Sequence, residues 1–345
     1  MDTQFTMNTA INESGMTSDT LKQTKKHFSK LGLMFFLGTL LINVVQIIAM
    51  GIAGTVKPEL FLDTASTLLV TMLPMYIIAM PLTALMIRTV PARQIEKKNM
   101  TLGQWLISFL ICYAAVYVSN YIGLFVTNII GILKGSPVSN TIVDIASTST
   151  IGVNFLIMVI CAPIAEEFLF RKLLIDRTIK YGDRVAILFS GLMFGLFHGN
   201  LNQFAYAFAL GLCYGFLYVK TGKVRYTIYL HMLNNFLSSV PGMLVLKYVG
   251  EEFVSAISDP STMMPYMMSH MGATLLYLGY FLALFAVALA GIIIFCVKFK
   301  TIKALLLPGE VTIPKGKRFT TTVLNVGMIL FFLFWIVMMI IQALS

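Results

Sequence analysis

Charge is what this chain has least of. Of its 345 residues, 12% are Asp, Glu, Lys or Arg, against about 25% in an ordinary soluble domain. The mean hydropathy is +0.84, and 58% of the residues are hydrophobic. That much apolar surface excludes a soluble globular enzyme. It also excludes a disordered chain, which needs low hydrophobicity and high charge. Cysteine is scarce as well. The four (Cys112, Cys161, Cys213, Cys296) all fall inside apolar runs, without metal-ligand spacing, so neither a zinc knuckle nor a disulfide framework is expected. They are expected to be small buried hydrophobes. The net charge of +10 would point to nucleic acid in a soluble protein. Here the basic residues lie between apolar runs, so no nucleic-acid partner is expected and membrane topology accounts for them.

What is present is a series of long apolar runs. A bilayer-crossing helix needs about 20 apolar residues, and nine candidate spans stand at 31–53, 67–87, 103–133, 151–175, 184–202, 203–219, 226–246, 271–297 and 319–343. The expected fold is therefore all-α, a polytopic transmembrane helical bundle of about nine spans. The third span is long enough to be tilted, kinked or broken. Residues 1–30 read as a polar tail, with 1–22 disordered, and no cleavable signal peptide is expected. The organisation that follows is 1–30 tail, 31–149 N-terminal helices, 150–245 core and 246–345 C-terminal helices. All but Lys57, Lys134 and Lys247 of the 25 Lys and Arg residues fall on the side of the N-terminus. That asymmetry predicts a cytoplasmic N-terminus and an outer C-terminus. The segment 299–318, with Pro308, Gly309, Pro314 and Gly316, reads as an irregular inner loop.

Most spans lack ionisable groups, and such groups within a membrane are costly and usually functional. The exceptions cluster between about 160 and 240. The run CAPIAEEFLFRKLL carries Glu166, Glu167 and Arg171, GLMFGLFHGN carries His198, and YLHMLNNFL carries His231, Asn234 and Asn235. Glu167 and Arg171 are four apart and share a helix face, so they can pair. Glu166 is rotated by about 100° and is free for another neighbour. Pro163 is expected to kink the helix and free a carbonyl. Glu166 and His198 each lie fourteen residues from a basic marker, Lys180 and Arg184, or roughly 21 Å, so they can be level. His231 lies only about 9 Å beyond Arg225 and Asn235 about 15 Å, a poorer match. Gly191, Gly195 and Gly199 on one span, and Ala207, Gly211 and Gly215 on the next, form small-residue ridges for helix packing.

A carboxylate and an imidazole at one depth suit general-base activation of water. A second His and an amide can hold the oxyanion formed when water attacks a carbonyl. These parts describe hydrolysis of an amide bond in the membrane without a covalent nucleophile. Other intramembrane chemistries lack their signatures: there is no HExxH, Gly182-Asp183 lacks GxGD, and Ser190-Gly191 lacks GxSG. A metal held by Glu166, His198 and His231 is open on residue type, but the depth estimate separates the two His by roughly 12 Å, and no metal or other cofactor is expected.

Three motifs occur in order: EExxxR (Glu166, Glu167, Arg171), FxxxH (Phe194, His198) and HxxxN (His231, Asn235). Together they resemble the CAAX-protease and bacteriocin-processing family of intramembrane glutamic endopeptidases, over about 150–245. The resemblance implies that Glu166 activates water with help from His198, that His231 and Asn235 stabilise the oxyanion, and that Glu167, Arg171 and Phe194 support the pocket. It implies a peptide or membrane-protein substrate within a lipid bilayer, and the Lys/Arg-rich loops and short motif spacing point to a bacterial plasma membrane. It does not indicate an oligomeric state. The alternative reading is a non-catalytic membrane protein of the immunity or regulatory kind, and a transporter ranks below it for want of an inverted repeat.

Overall fold

A computed structural model describes residues 17–140, 148–250, 252–253, 256 and 260–344, so residues 1–16 of the expected tail lie outside it. The chain is all-α, with no strand among the described residues. The helices are α1 (Ser18–Val56), α2 (Thr64–Arg88), α3 (Leu102–Lys134), α4 (Ile151–Tyr181), α5 (Asp183–Phe197), α6 (Leu201–Thr221), α7 (Val224–Val249), α8 (Pro260–Ser269), α9 (Met271–Ala304), α10 (Arg318–Thr322) and α11 (Val326–Leu344). Seven of them, α1, α2, α3, α4, α6, α9 and α11, are long and apolar enough to cross a membrane. The other two expected spans fall on helices of a different kind. Helix α5 has 15 residues, short of the roughly 20 a crossing needs. Helix α7 is long enough but carries His231, Asn234, Asn235, Ser238 and Ser239.

Local chemistry explains several boundaries. Thr101 and Gln104 form a reciprocal capping box at the start of α3, and Gly135 ends it in the left-handed conformation. Between them α3 is one continuous helix rather than a broken one. Helix α1 begins at Ser18 because Thr17 accepts the Thr20 N–H and Asp19 sits in the first turn. Residues 18–30, expected in the tail, are therefore helical. They are held there by burial: Phe28 is fully buried, with its ring 4.9 Å from Tyr181 and 5.1 Å from Phe189.

The core is built around α4, α5 and α6. Helices α5 and α6 pack closely along the small-residue ridges. A Cβ on Gly211 would stand 2.5 Å from Gly191 Cα, and one on Gly195 would stand 3.2 Å from Phe204 O. Gly199 does not belong to this ridge. It lies beyond the end of α5 with φ +56° and faces the Trp335 ring. That ring is half-buried and packs on Phe197 at 5.1 Å. The thiols also divide: Cys112 is buried, Cys161 and Cys213 are half-buried, and Cys296 is exposed.

At the basic end, two connecting segments fold back under the core. Residues 89–101 reach it through Arg93 N–H to Asp176 O (2.6 Å) and Lys98 N–H to Thr221 O (2.8 Å). The segment after α9 docks on the α4–α5 turn, with Val311 N–H to Lys180 O at 3.0 Å and Leu307 N–H to Asp183 Oδ2 at 2.9 Å. Lys220 pairs with Asp183 and Arg93 with Glu310 across the same region. The segment read as an irregular loop is thus irregular but pinned at several points.

Gly211→Val should lower the melting temperature in detergent sharply, because overpacking against backbone typically costs about 1–3 kcal/mol or more. Gly272→Val, where a Cβ meets nothing within 4 Å, should change it far less. Circular dichroism melts of the two variants beside wild type make the comparison.

Candidate functional site

The site is assembled from four helices, and α4 supplies the acids. This helix does not wind uniformly: Phe155–Cys161 and Phe168–Leu173 are π-helical, and the short α-helical stretch Ala162–Glu167 lies between them. Such widened turns are a common feature of functional sites. Pro163 opens the middle stretch, and Glu166 and Glu167 close it.

Glu167 and Arg171 are both fully buried, with Arg171 Nε 3.0 Å from Glu167 Oε2. The expected pair is present, though its angle is not that of a hydrogen bond. The guanidinium finds other partners. Nη1 donates to Ser190 Oγ at 3.2 Å, and Ser190 donates to Phe170 O at 2.9 Å. Its Cζ lies 4.4 Å from the Phe194 ring centroid and 5.5 Å from that of Tyr214, a geometry that favours a cation held out of water. Phe194 therefore supports Arg171 directly.

His231 lies between the two acids. Its Nδ1 is 3.1 Å from Glu167 Oε1, and its Nε2 is 3.9 Å from Glu166 Oε2. The straight-helix depth count left His231 short of the glutamates. The contact shows that α7 sits at a level against α4 that residue counts from the basic markers do not give. Two acids rotated by about 100° also need not part company, because an imidazole presents its nitrogens on opposite sides. The His231 ring packs on Tyr214 at 5.4 Å and Phe194 at 5.8 Å.

His198 is placed by the end of α5. Its backbone N–H turns to Gly195 O at 3.4 Å, and its ring Nδ1 takes Phe194 O at 2.8 Å. A carbonyl only accepts, so Nδ1 carries the hydrogen and Nε2 of the neutral ring is left as an acceptor. The His198 ring stands edge-on to Phe194 at 4.8 Å, and the same Phe194 ring meets His231 at 5.8 Å, which places both imidazoles around one side chain. Asn235 points its amide at Met158 O, 2.8 Å away. Its neighbour Asn234 is buried and donates to Tyr214 Oη and to Leu230 O, each at 2.9 Å.

The structure thus brings Glu166, Glu167, Arg171, Phe194, His198 and His231 together, with Asn235 one turn further along α7. Sequence reasoning missed Ser190 and Tyr214. A Ser or Tyr in an apolar span carries no signal of its own, and both matter through partners on other helices, Arg171 for each and His231 and Asn234 as well for Tyr214. Among the described residues, no group of three or more His, Cys, Asp or Glu has an arrangement that could hold a metal ion. Two cavities, of about 240 and 360 Å³, lie at the basic end, where Arg93 and Gln94 line both.

Arg171→Ala should destabilise the protein by about 3–5 kcal/mol, because it leaves the Glu167 charge buried without its counter-ion. Replacing both partners, Glu167→Gln with Arg171→Gln, should recover part of the loss. Thermal unfolding of the three proteins in one detergent measures this, and an unchanged melting temperature for Arg171→Ala would contradict the buried pair.

Comparison with known proteins returns to the same segment. Residues 148–237 match the Rce1-like family, described as type II CAAX prenyl endopeptidase Rce1-like. A Bacillus subtilis (strain 168) protein named as a putative membrane peptidase, YdiL, is 26% identical over 165 residues, 46% of this chain and 66% of the relative. The membrane-embedded CAAX protease MroQ of Staphylococcus aureus (strain USA300) is 27% identical over 121 residues, 33% of this chain and 48% of the relative. The chain thus spans less than two thirds of the length of either relative. No solved structure matches. The three motifs, the cluster they build and these relatives converge on one conclusion: the chain resembles the CAAX prenyl endopeptidases of the Rce1-like family, and the resemblance is carried by residues 148–237.

Proposed function

We propose that this protein is an intramembrane endopeptidase that hydrolyses a peptide bond with water activated by Glu166 and His198, without a metal or other cofactor. The observation that supports this most is the division of labour between adjacent acids. Glu167 faces Arg171 and His231 Nδ1, while Glu166 has its nearest cationic group, His231 Nε2, at 3.9 Å. One carboxylate is held as structure and the other is left to accept a proton.

The chemistry follows from the hydrogen positions. Glu166, helped by the free Nε2 of His198, takes a proton from water, and the hydroxide adds to the substrate carbonyl. Beside Arg171, Glu167 is an acceptor, so His231 carries a hydrogen on Nδ1. Donation from Nε2 to the oxyanion then calls for the doubly protonated ring. With Glu166, Glu167 and Arg171, that ring makes a set of no net charge, which lowers the cost of burying it. Collapse of the tetrahedral adduct breaks the C–N bond, and the proton taken from water goes to the leaving amine.

In this reading, residues 150–245 are the catalytic core, flanked by N-terminal helices over 31–149 and C-terminal helices over 246–345. The basic end, with the N-terminus, is cytoplasmic. The substrate is a peptide or membrane protein, and the setting is a bacterial plasma membrane, as the bacterial relatives support.

Glu166→Gln should fold normally and lose on the order of 10²–10⁴-fold in peptide cleavage, because it keeps shape and removes the base. Cleavage of a fluorogenic peptide library by purified protein in detergent measures this, with melting temperature as the control for folding. Near-wild-type turnover would remove Glu166 from the mechanism, and wild-type inertness towards membrane peptides of every class would favour a non-catalytic binding protein. Activity should also survive exhaustive dialysis against a strong chelator. Loss restored by zinc, with stoichiometric metal in the purified protein, would move His231 into a ligand role.

A further inference from the structure

Pro163 leaves a backbone acceptor without its donor, and a neighbouring helix makes good the loss. Through Phe155–Cys161 the α4 backbone bonds five residues back, and Ala162 N–H goes to Ile157 O. The next donor in that winding is residue 163, and the next acceptor is Met158 O. Proline has no N–H. Asn235 Nδ2 donates to Met158 O instead, at 2.8 Å. The hydrogen that α4 lacks is supplied from α7.

The position of Asn235 gives this bond a consequence. It lies one turn from His231 on the same face of α7, and that face continues along α4. Ser239 donates to Asn235 O at 2.6 Å, and a turn further Met243 Sδ receives Asn154 Nδ2 at 3.5 Å. At the other end of the seam, His231 meets Glu167 at 3.1 Å and Glu166 at 3.9 Å. The Asn235–Met158 bond is the short, directional contact in the middle of this seam. A slide of α7 along α4 breaks it and withdraws His231 from both acids.

We propose that Asn235 is a positioning residue: it satisfies the carbonyl orphaned by Pro163 and thereby sets the depth at which His231 meets Glu166 and Glu167. The role uses one of the two amide hydrogens of Asn235 and acts through Met158 and His231. Its catalytic consequence rests on the endopeptidase reading, and its structural consequence does not.

The test is a mutant cycle of wild type, Asn235→Ala, Pro163→Ala and the double variant. The Pro163→Ala change restores a backbone N–H that can close onto Met158 O, so α4 no longer needs α7 for that bond. With Pro163 in place, Asn235→Ala should lower the melting temperature by several degrees. It should also reduce kcat per folded molecule by roughly 10- to 100-fold, the scale of a misplacement near 1 Å, with KM little changed. In the Pro163→Ala background both losses should shrink markedly. Equal losses in the two backgrounds would overturn the proposal, as would a loss of folded protein with kcat per folded molecule intact.

Pro163→Ala can itself rewind α4, so Asn235→Asp provides a second arm. Its carboxylate keeps the size but has no hydrogen to offer Met158 O, and it should lose as much as Asn235→Ala. Wild-type melting and turnover of Asn235→Asp would overturn the proposal. The melting arm needs no substrate. Coupled melting temperatures in proteins that cleave nothing, wild type included, would uphold the clamp and sink the endopeptidase reading.

Discussion

A guanidinium with no exposure to solvent has to be solvated by protein, and in this chain that requirement gathers the site. Arg171 lies fully buried in α4. Its charge is met by Glu167 of the same helix, by Ser190 and the Phe194 ring of α5, and by the Tyr214 ring of α6. Glu167 passes the contact on to His231 of α7. Removing either Arg171 or Glu167 leaves the other's charge stranded in an apolar interior, and that penalty far exceeds the value of an exposed ion pair. The four helices are therefore tied through one cation, and Glu166 emerges beside them with its carboxylate uncommitted.

The backbone of α4 imposes a second constraint. In an apolar medium every N–H and C=O needs a partner, and a proline in mid-helix removes one donor. The π-helical stretches on either side of Ala162–Glu167 are where the helix absorbs the disturbance. They alter the facing of the residues that follow without ending the helix. Glu166 and Glu167 close the α-helical stretch between the two π turns and face opposite nitrogens of one imidazole. The orphan carbonyl and the two acids are both met by side chains of α7.

The remainder of the chain supports this core from outside residues 148–237, the segment that matches the Rce1-like family. The first turns of α1 lay Phe28 against Tyr181 and Phe189. The segment after α9 is hydrogen-bonded to the turn between α4 and α5. Trp335 of α11 closes over Phe197 and Gly199, beside His198. The end of α5, which orients the His198 ring through Phe194 O, is thus backed by a helix far away in sequence.

Composition and run length determined the all-α membrane class, because continuous apolar runs of about 20 residues lack the alternation of a barrel strand and satisfy their backbone as helices. Local spacing determined what one helix can decide: the pairing of Glu167 with Arg171, the shared face of His231 and Asn235, and the glycine ridge that lets α5 approach α6. The depth count left His231 short of the acids, because the level at which α7 sits against α4 is set by packing between the helices rather than by residue number. Residues 18–30 looked like tail because their charges hide a face that only the core makes worth burying. Gly199 looked like ridge because a repeat of four cannot reveal that the helix has already ended. Ser190, Tyr214 and the bond from Asn235 to Met158 were decided by tertiary structure alone, since each has meaning only through a partner on another helix, and a distance between helices is not written in either one.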